Sequence, residues 1–202
     1  QPVAWPWPSP RLTPPRRRAT SPRMTRLAHL LALVLALPAL AQDAPKTFPV
    51  SELTFARPEA WTWVRLGPNP MRKAQLAIPG REGGEPAEGV FFHFGPGNAG
   101  GVQANVDRWF RQFQGTKEEI QAKQETTETG GTKVTYVRAE GTYLSGMPGG
   151  PQTPRPGFAL RGAIIEAPEG AVFVKLTGPK ALVEGGDADF RKMVEGAVKK
   201  QR

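Results

Sequence analysis

From residue 51 onward, apolar and polar positions first alternate with the period of a strand, then repeat with the period of a helix, then alternate again. Ser51–Ala56 alternates, Trp61–Leu66 is aromatic and β-branched, and Gly67-Pro-Asn-Pro70 supplies a turn into Met71–Ile78. A loop rich in Gly and Glu, residues 80–89, leads to Val90-Phe-Phe-His-Phe94, apolar enough for a central strand. In Val102–Gln114 the residues Val102, Val106, Trp109, Phe110 and Phe113 form one helical stripe, and Gly115 stops it.

Strand character returns in Gln121–Thr129, which the Gly130-Gly131 pair turns into Thr132–Arg138. A second hairpin joins Phe158–Ile165 to Ala171–Leu176 through Ala167-Pro-Glu-Gly170, with Pro and Gly where a type I turn prefers them. A helix from about Asp187 buries Phe190, Met193, Val194 and Ala197, and its Lys199 and Lys200 suit the negative end of the helix dipole. Between the hairpins, residues 145–157 read as a Pro/Gly-rich connection too long for a turn, of the kind that carries function. Trp61, Trp63 and Trp109 are expected to fill one layer of a sandwich. Strand runs joined by hairpins, with two helices, predict an α+β domain with a largely antiparallel sheet.

The first 41 residues have a different pattern. From Met24 a short positive stretch with Arg26 precedes the apolar run Leu27–Leu37, and Ala39-Leu-Ala41 ends it with small residues at the positions signal peptidase reads. The run is about half the roughly 20 residues a membrane-spanning helix needs, and Pro38 ends it. The expectation is a signal peptide over residues 24–41, cut after Ala41, and a periplasmic or secreted product. Residues 1–23 contain no periodic apolar pattern and are expected to be disordered sequence upstream of the true start at Met24. Residues 42–202 have the length of a single domain.

Charge changes little once it is divided along the chain. The formal net charge is +9, but six arginines and no acidic residue precede Gln42, which leaves 21 basic against 18 acidic residues beyond it. Those are interspersed, without the one-sided basic face that nucleic-acid binding requires, so no nucleic-acid partner is expected. The absence of cysteine excludes disulfides, thiolate metal sites, a cysteine nucleophile and a lipobox.

Phe55-Ala-Arg-Pro-Glu-Ala-Trp61, the strand ending in Phe94-Gly95, Gly100-Gly101 followed by Asn105, Arg108-Trp109 and Gln112-Phe113, then Val174–Pro179 and a last helix with Phe190 and Met193, carry a family likeness. The chain resembles small exported bacterial proteins of unknown function whose layout is similar to the PsbP-like fold, an antiparallel sheet sandwiched by helices. The resemblance implies a fold and a non-enzymatic role, with no active-site residue to carry over.

Candidate chemistry is sparse. Gly95-Pro-Gly-Asn-Ala-Gly100 is a literal G-x-G-x-x-G between strand and helix, whose amides would hold a pyrophosphate. That template belongs in a βαβ unit, and the neighbouring strands read as antiparallel, so a dinucleotide is not expected. The loop's amides remain an anion-site candidate. The candidate ligand-binding residues are therefore Gly97, Asn98, Gly100 and Gly101, together with Arg155 in the 145–157 connection.

His93 is the only histidine outside the leader, and among Phe91, Phe92 and Phe94 it reads as structural; an enzyme using it with nearby carboxylates is the alternative. Ser51 and Ser145, the two serines after residue 41, lie in no nucleophile-elbow pattern. One histidine without cysteine does not make a zinc site, and Glu82, Glu85 and Glu88 lack calcium-loop spacing and read as a solvated loop. No cofactor or metal is expected. The sequence thus points to an exported binding or assembly module with an unknown protein or small-molecule partner in the cell envelope.

Overall fold

The structure, a computed structural model, describes residues 45–146 and 150–199. The expected signal peptide, the segment 1–23, Lys200 and Arg202 lie outside the described residues, which belong to one unit, Gln42–Arg202.

The chain opens with a hairpin of β1 (Thr47–Val50) and β2 (Leu53–Ala56). A seven-stranded sheet follows, made of β3 (Thr62–Trp63), β4 (Arg72–Ile78), β5 (Ala87–His93), β6 (Lys123–Thr129), β7 (Thr132–Gly146), β8 (Gln152–Ile165) and β9 (Val172–Pro179), in the order β3-β4-β5-β9-β8-β7-β6. Its pairs are all antiparallel. Helix α1 (Val102–Phe110) lies between β5 and β6 in sequence, and α2 (Lys180–Gly185) and α3 (Asp187–Lys199) follow β9. The expected antiparallel α+β architecture, with helices on both faces, is the one observed.

Alternation along the central strands sorts the core into two clusters, because successive side chains leave a strand on opposite faces. On one face Phe91, Val172, Val174, Leu176, Ala163 and Tyr136 meet Phe48 and Phe55 from the β1–β2 hairpin, Val183 from α2, and Phe190, Met193, Val194 and Ala197 from α3. On the other, Phe173, Leu160, Ile164, Val137 and Ala139 meet Val106, Trp109 and Phe110 from α1, then Phe113 and Ile120 from the segment behind it.

Each face seats a tryptophan over a glycine. Trp61 fits against Gly89, where a Cβ would stand 3.1 Å from its ring, and Trp109 lies on Gly162, where a Cβ would stand 2.3 Å away. Any larger residue at 162 therefore has to displace the ring.

Several expectations need correction. Trp61 and Trp63 belong to one core cluster and Trp109 to the other, so the three tryptophans do not share a layer. Strand alternation fixes sides, and a helix inserted after β5 carries Trp109 to the face opposite.

The 145–157 connection is also largely absent. β7 runs on to Gly146 and β8 starts at Gln152, pairing Tyr143 with Arg155, Leu144 with Pro154 and Ser145 with Thr153. Prolines are tolerated there because β9 stops opposite Phe158, leaving this stretch of β8 an edge.

Two elements are shorter than the pattern predicts. The aromatic strand keeps only Thr62 and Trp63, with Pro68 and Pro70 soon after to prevent further pairing. Helix α1 ends at Phe110 because the following residues turn to pair with β7: the Gln114 amide donates to the Thr142 carbonyl at 2.9 Å, and the Leu144 amide to the Gln112 carbonyl at 2.7 Å. Strand β1 and helix α2 had no counterpart in the sequence reading.

Candidate functional site

The β7–β8 hairpin outruns the sheet and forms an arm. A register shift between Gly141 and Tyr143, with Gly141 at φ 140° and Gly157 at φ 71°, breaks the ladder at the arm's base. Only glycine takes such backbone freely. Tyr143, Ser145 and Arg155 from the arm then line a cavity together with Val90, Phe92 and Glu88 from β5, Lys175 and Thr177 from β9, and Arg72 from β4. The cavity holds about 340 Å³ and opens on the same face as α1. Glu85, on the loop before β5, ion-pairs with Arg155, which also lies over the Phe158 ring at 5.2 Å.

Lys175 forms the cavity's floor. It sits half-buried in β9, the middle strand of the sheet, between the buried Val174 and Leu176 that point to the opposite face. Its ammonium donates to the Tyr143 hydroxyl at 3.0 Å and to Gln112 Oε1, and lies 5.0 Å from the Tyr143 ring centre. Both partners are neutral, and no carboxylate pairs with Lys175 among the described residues.

Burial, helped by the Arg72 charge and opposed by Glu88, pulls the Lys175 amine down to about 8. Burial and Glu88 push the Tyr143 phenol above its ordinary value. Thr177 Oγ1, on the same wall, is buried with no hydrogen-bond partner. The arrangement is a half-buried cation, a second cation, an orphaned hydroxyl and an aromatic and aliphatic wall.

The sequence candidates divide. Arg155 lines this cavity; Gly97, Asn98, Gly100 and Gly101 do not. In the glycine loop, Gly95, Gly97 and Gly100 take φ values of 80°, 72° and 74°, so the glycines serve the turn. Asn105 closes it from inside α1, its amide donating to the carbonyls of Ala99 at 2.8 Å and Gly101 at 3.0 Å while Arg108 holds its oxygen. The helix leads to β6, an edge strand paired antiparallel with β7, so the G-x-G-x-x-G template lacks its βαβ setting.

His93 is drawn into a latch between two turns. Its Nε2 lies 3.0 Å from the Glu169 carbonyl in the β8–β9 turn; the Glu169 amide donates to Glu52 Oε1 at 2.9 Å, and Ser51 Oγ donates to Glu169 Oε2 at 3.3 Å. Glu52 is held below the usual carboxylate range by the Ser51 and Glu169 hydrogen bonds and the nearby His93, against the opposing effect of burial. The group fastens the β1–β2 turn to the sheet. Ser51, at φ 54°, occupies the first position of that turn.

A smaller cavity of about 200 Å³ lies between β6, β7, β8 and α3. Two of its cations are already paired: Arg161 with Asp187 and Arg191 with Glu125, each at 2.8 Å, and Arg191 covers the Tyr136 ring at 4.6 Å. The cavity over Lys175 differs in setting a cation without a carboxylate partner among the described residues into the middle strand of the sheet.

No family model and no curated protein matches the chain. Several solved structures are similar to it, two of which follow. One is a crystal structure of a protein of unknown function from Pseudomonas aeruginosa, 14% identical, spanning 74% of this chain and 92% of that one, with a TM-score of 0.40. The other is the solution structure of cyanobacterial PsbP from Synechocystis, 11% identical, spanning 78% and 95%, with a TM-score of 0.43. The site stands on its own geometry.

The sequence pattern does not single out Lys175, since Ala171–Leu176 reads as an ordinary hairpin strand. One signal was present: a lysine in the middle of an otherwise apolar strand must either be buried or face an opening.

Proposed function

We propose that the domain is an exported, non-enzymatic binding module whose ligand is a small organic anion with an apolar body, held in the cavity over Lys175. The observation that carries this reading is the Lys175 ammonium, half-buried and without a carboxylate partner among the described residues. A buried charge is costly unless answered, and an anion from solution would answer it. Arg72 adds a second positive group, Thr177 a free hydroxyl, and Val90, Phe92 and Phe158 the apolar wall. Glu88 at the rim and Glu85 on Arg155 would repel a highly charged ligand, so the cavity favours a single carboxylate. Arg155 keeps its place among the proposed ligand-binding residues of this cavity, which Gly97, Asn98, Gly100 and Gly101 do not line.

Titration with benzoate, followed by amide chemical shifts, tests the reading. Shifts should cluster at Val90, Phe92, Tyr143, Lys175 and Thr177, and Lys175→Met should weaken binding at least about tenfold, the scale of a lost charge-assisted hydrogen bond. Equal affinity in Lys175→Met would sink it. Export rests on the Met24–Ala41 pattern; among the described residues no helix is long and apolar enough to cross a membrane. N-terminal sequencing of secreted or periplasmic material should read from Gln42, and a retained Gln1 would refute the cut.

A further inference from the structure

Lys175 offers more than charge. Its Nζ borders a cavity of about 340 Å³, its neighbours Gln112 and Tyr143 are uncharged, and the Tyr143 hydroxyl stands 3.0 Å away. The charged groups facing it are Arg72 from β4, Glu88 from β5, Arg155 from β8 and Glu85 from the loop before β5, the last two paired with each other.

We propose that Lys175 captures the carbonyl carbon of a small oxo acid as a reversible imine in this cavity, with Tyr143 as the proton donor. The proposal rests on reading the cavity as an anion site, since Arg72 is the group placed to hold the acid's carboxylate while the carbonyl meets the amine.

The amine lone pair forms a C–N bond to the carbonyl carbon, and the carbonyl oxygen becomes a hydroxyl. Tyr143 protonates that hydroxyl, it leaves as water, and the C=N bond forms as nitrogen gives up its remaining proton, which returns to Tyr143. The amine's two hydrogens and the carbonyl oxygen leave together as one water, and no electrons change hands. Two conditions of the site favour the step. With the amine at about 8, roughly two orders of magnitude more of it is free at neutral pH than for an ordinary lysine. The raised Tyr143 phenol stays protonated and able to donate.

The test treats the full chain with glyoxylate and cyanoborohydride, which fixes an imine as a carboxymethyl-lysine, and maps the adduct by mass spectrometry. Lys175 should be modified at least about tenfold faster than the exposed lysines, excess benzoate should suppress it, and Tyr143→Phe should slow it by about tenfold. Lys175→Arg keeps the charge and should lose the fast adduct. Modification spread evenly over the lysines, a fast phase surviving in Lys175→Arg, or an unchanged rate in Tyr143→Phe would each overturn the imine proposal. In those cases benzoate binding by the wild type leaves the anion site standing, whereas failure of the wild type to bind benzoate overturns both.

Discussion

The two faces of the sheet are built from the same strands and end up unlike each other. Beneath the β1–β2 hairpin, α2 and α3, the face is closed: Phe48 packs edge-on to Phe91 at 4.9 Å, Phe55 packs on Phe91 at 5.1 Å, and Trp61 is 1% exposed. Chain from both ends of the domain meets there. Among the described residues the opposite face has the nine residues of α1 and the segment behind it, which cover Phe173, Leu160 and Ile164, touch Lys175 through Gln112 and contribute nothing to the cavity lining. The arm of β7 and β8 walls the remainder without filling it.

The lesson is that a seven-stranded sheet has more area than its helices can cover, and the uncovered part is where polar groups survive in partial burial. Removing an apolar residue from the closed face leaves a hole. Removing a charge from the open face relieves a cost.

That contrast can be broken at several points. Phe91→Ala should cost about 3–5 kcal/mol in urea unfolding, because the Phe48 and Phe55 rings close on Phe91 and cannot collapse into its space. A loss near 1 kcal/mol would mean the face is not closed as described.

Lys175→Met should act in the opposite direction, stabilising the fold by on the order of 1–2 kcal/mol at neutral pH while abolishing anion binding. The sign follows from the amine's lowered value. Between about 8 and the ordinary 10.5, the unfolded chain binds the proton that the folded one has released, so wild-type stability climbs with pH through that window. Below about 8 both states are charged and the burial cost is present in full. The advantage of Lys175→Met should therefore shrink as pH rises from about 8 toward 10.5, and thermal melts of both proteins across that range would show it.

The smallest effect belongs to the rim. Glu85→Gln breaks the ion pair with Arg155, whose side chains are 42% and 36% exposed, and should change stability by no more than about 0.5 kcal/mol. It should tighten benzoate binding about two- to threefold by freeing a cation; a weaker complex would show that the pair holds the arm in place.

Much of the architecture was legible because it depends on local periods. The apolar runs Val90–Phe94 and Ala171–Leu176, the Gly130-Gly131 turn and the stripe Val106, Trp109, Phe110 are each set by residues close along the chain. The reading failed where partners decide. Residues 145–157 look like a loop by their prolines and glycines, yet Ser145, Gly146 and the stretch from Gln152 are strand because each side found the other. Phe113 fitted the helical stripe of α1, yet it reaches the core from an irregular segment bridged to Tyr143.

The site was the least legible part. Arg155 was singled out for its place in a supposed loop, and it lines the cavity for a different reason, as one side of the arm. Gly97, Asn98, Gly100 and Gly101 were chosen for a motif whose glycines turn out to serve a turn and a helix entry.

By itself the sequence determined the strand and helix periods, the antiparallel pairing that short turns enforce, and the exclusion of cysteine chemistry, because these depend on residue type and on neighbours close along the chain. The tertiary structure alone decided that the tryptophans divide between faces, that β9 lies in the middle of the sheet, and that Lys175 meets Tyr143, Gln112 and Arg72 around one cavity. Those groups lie far apart in the sequence, and it is strand order, not period, that sets which distant side chains share a face.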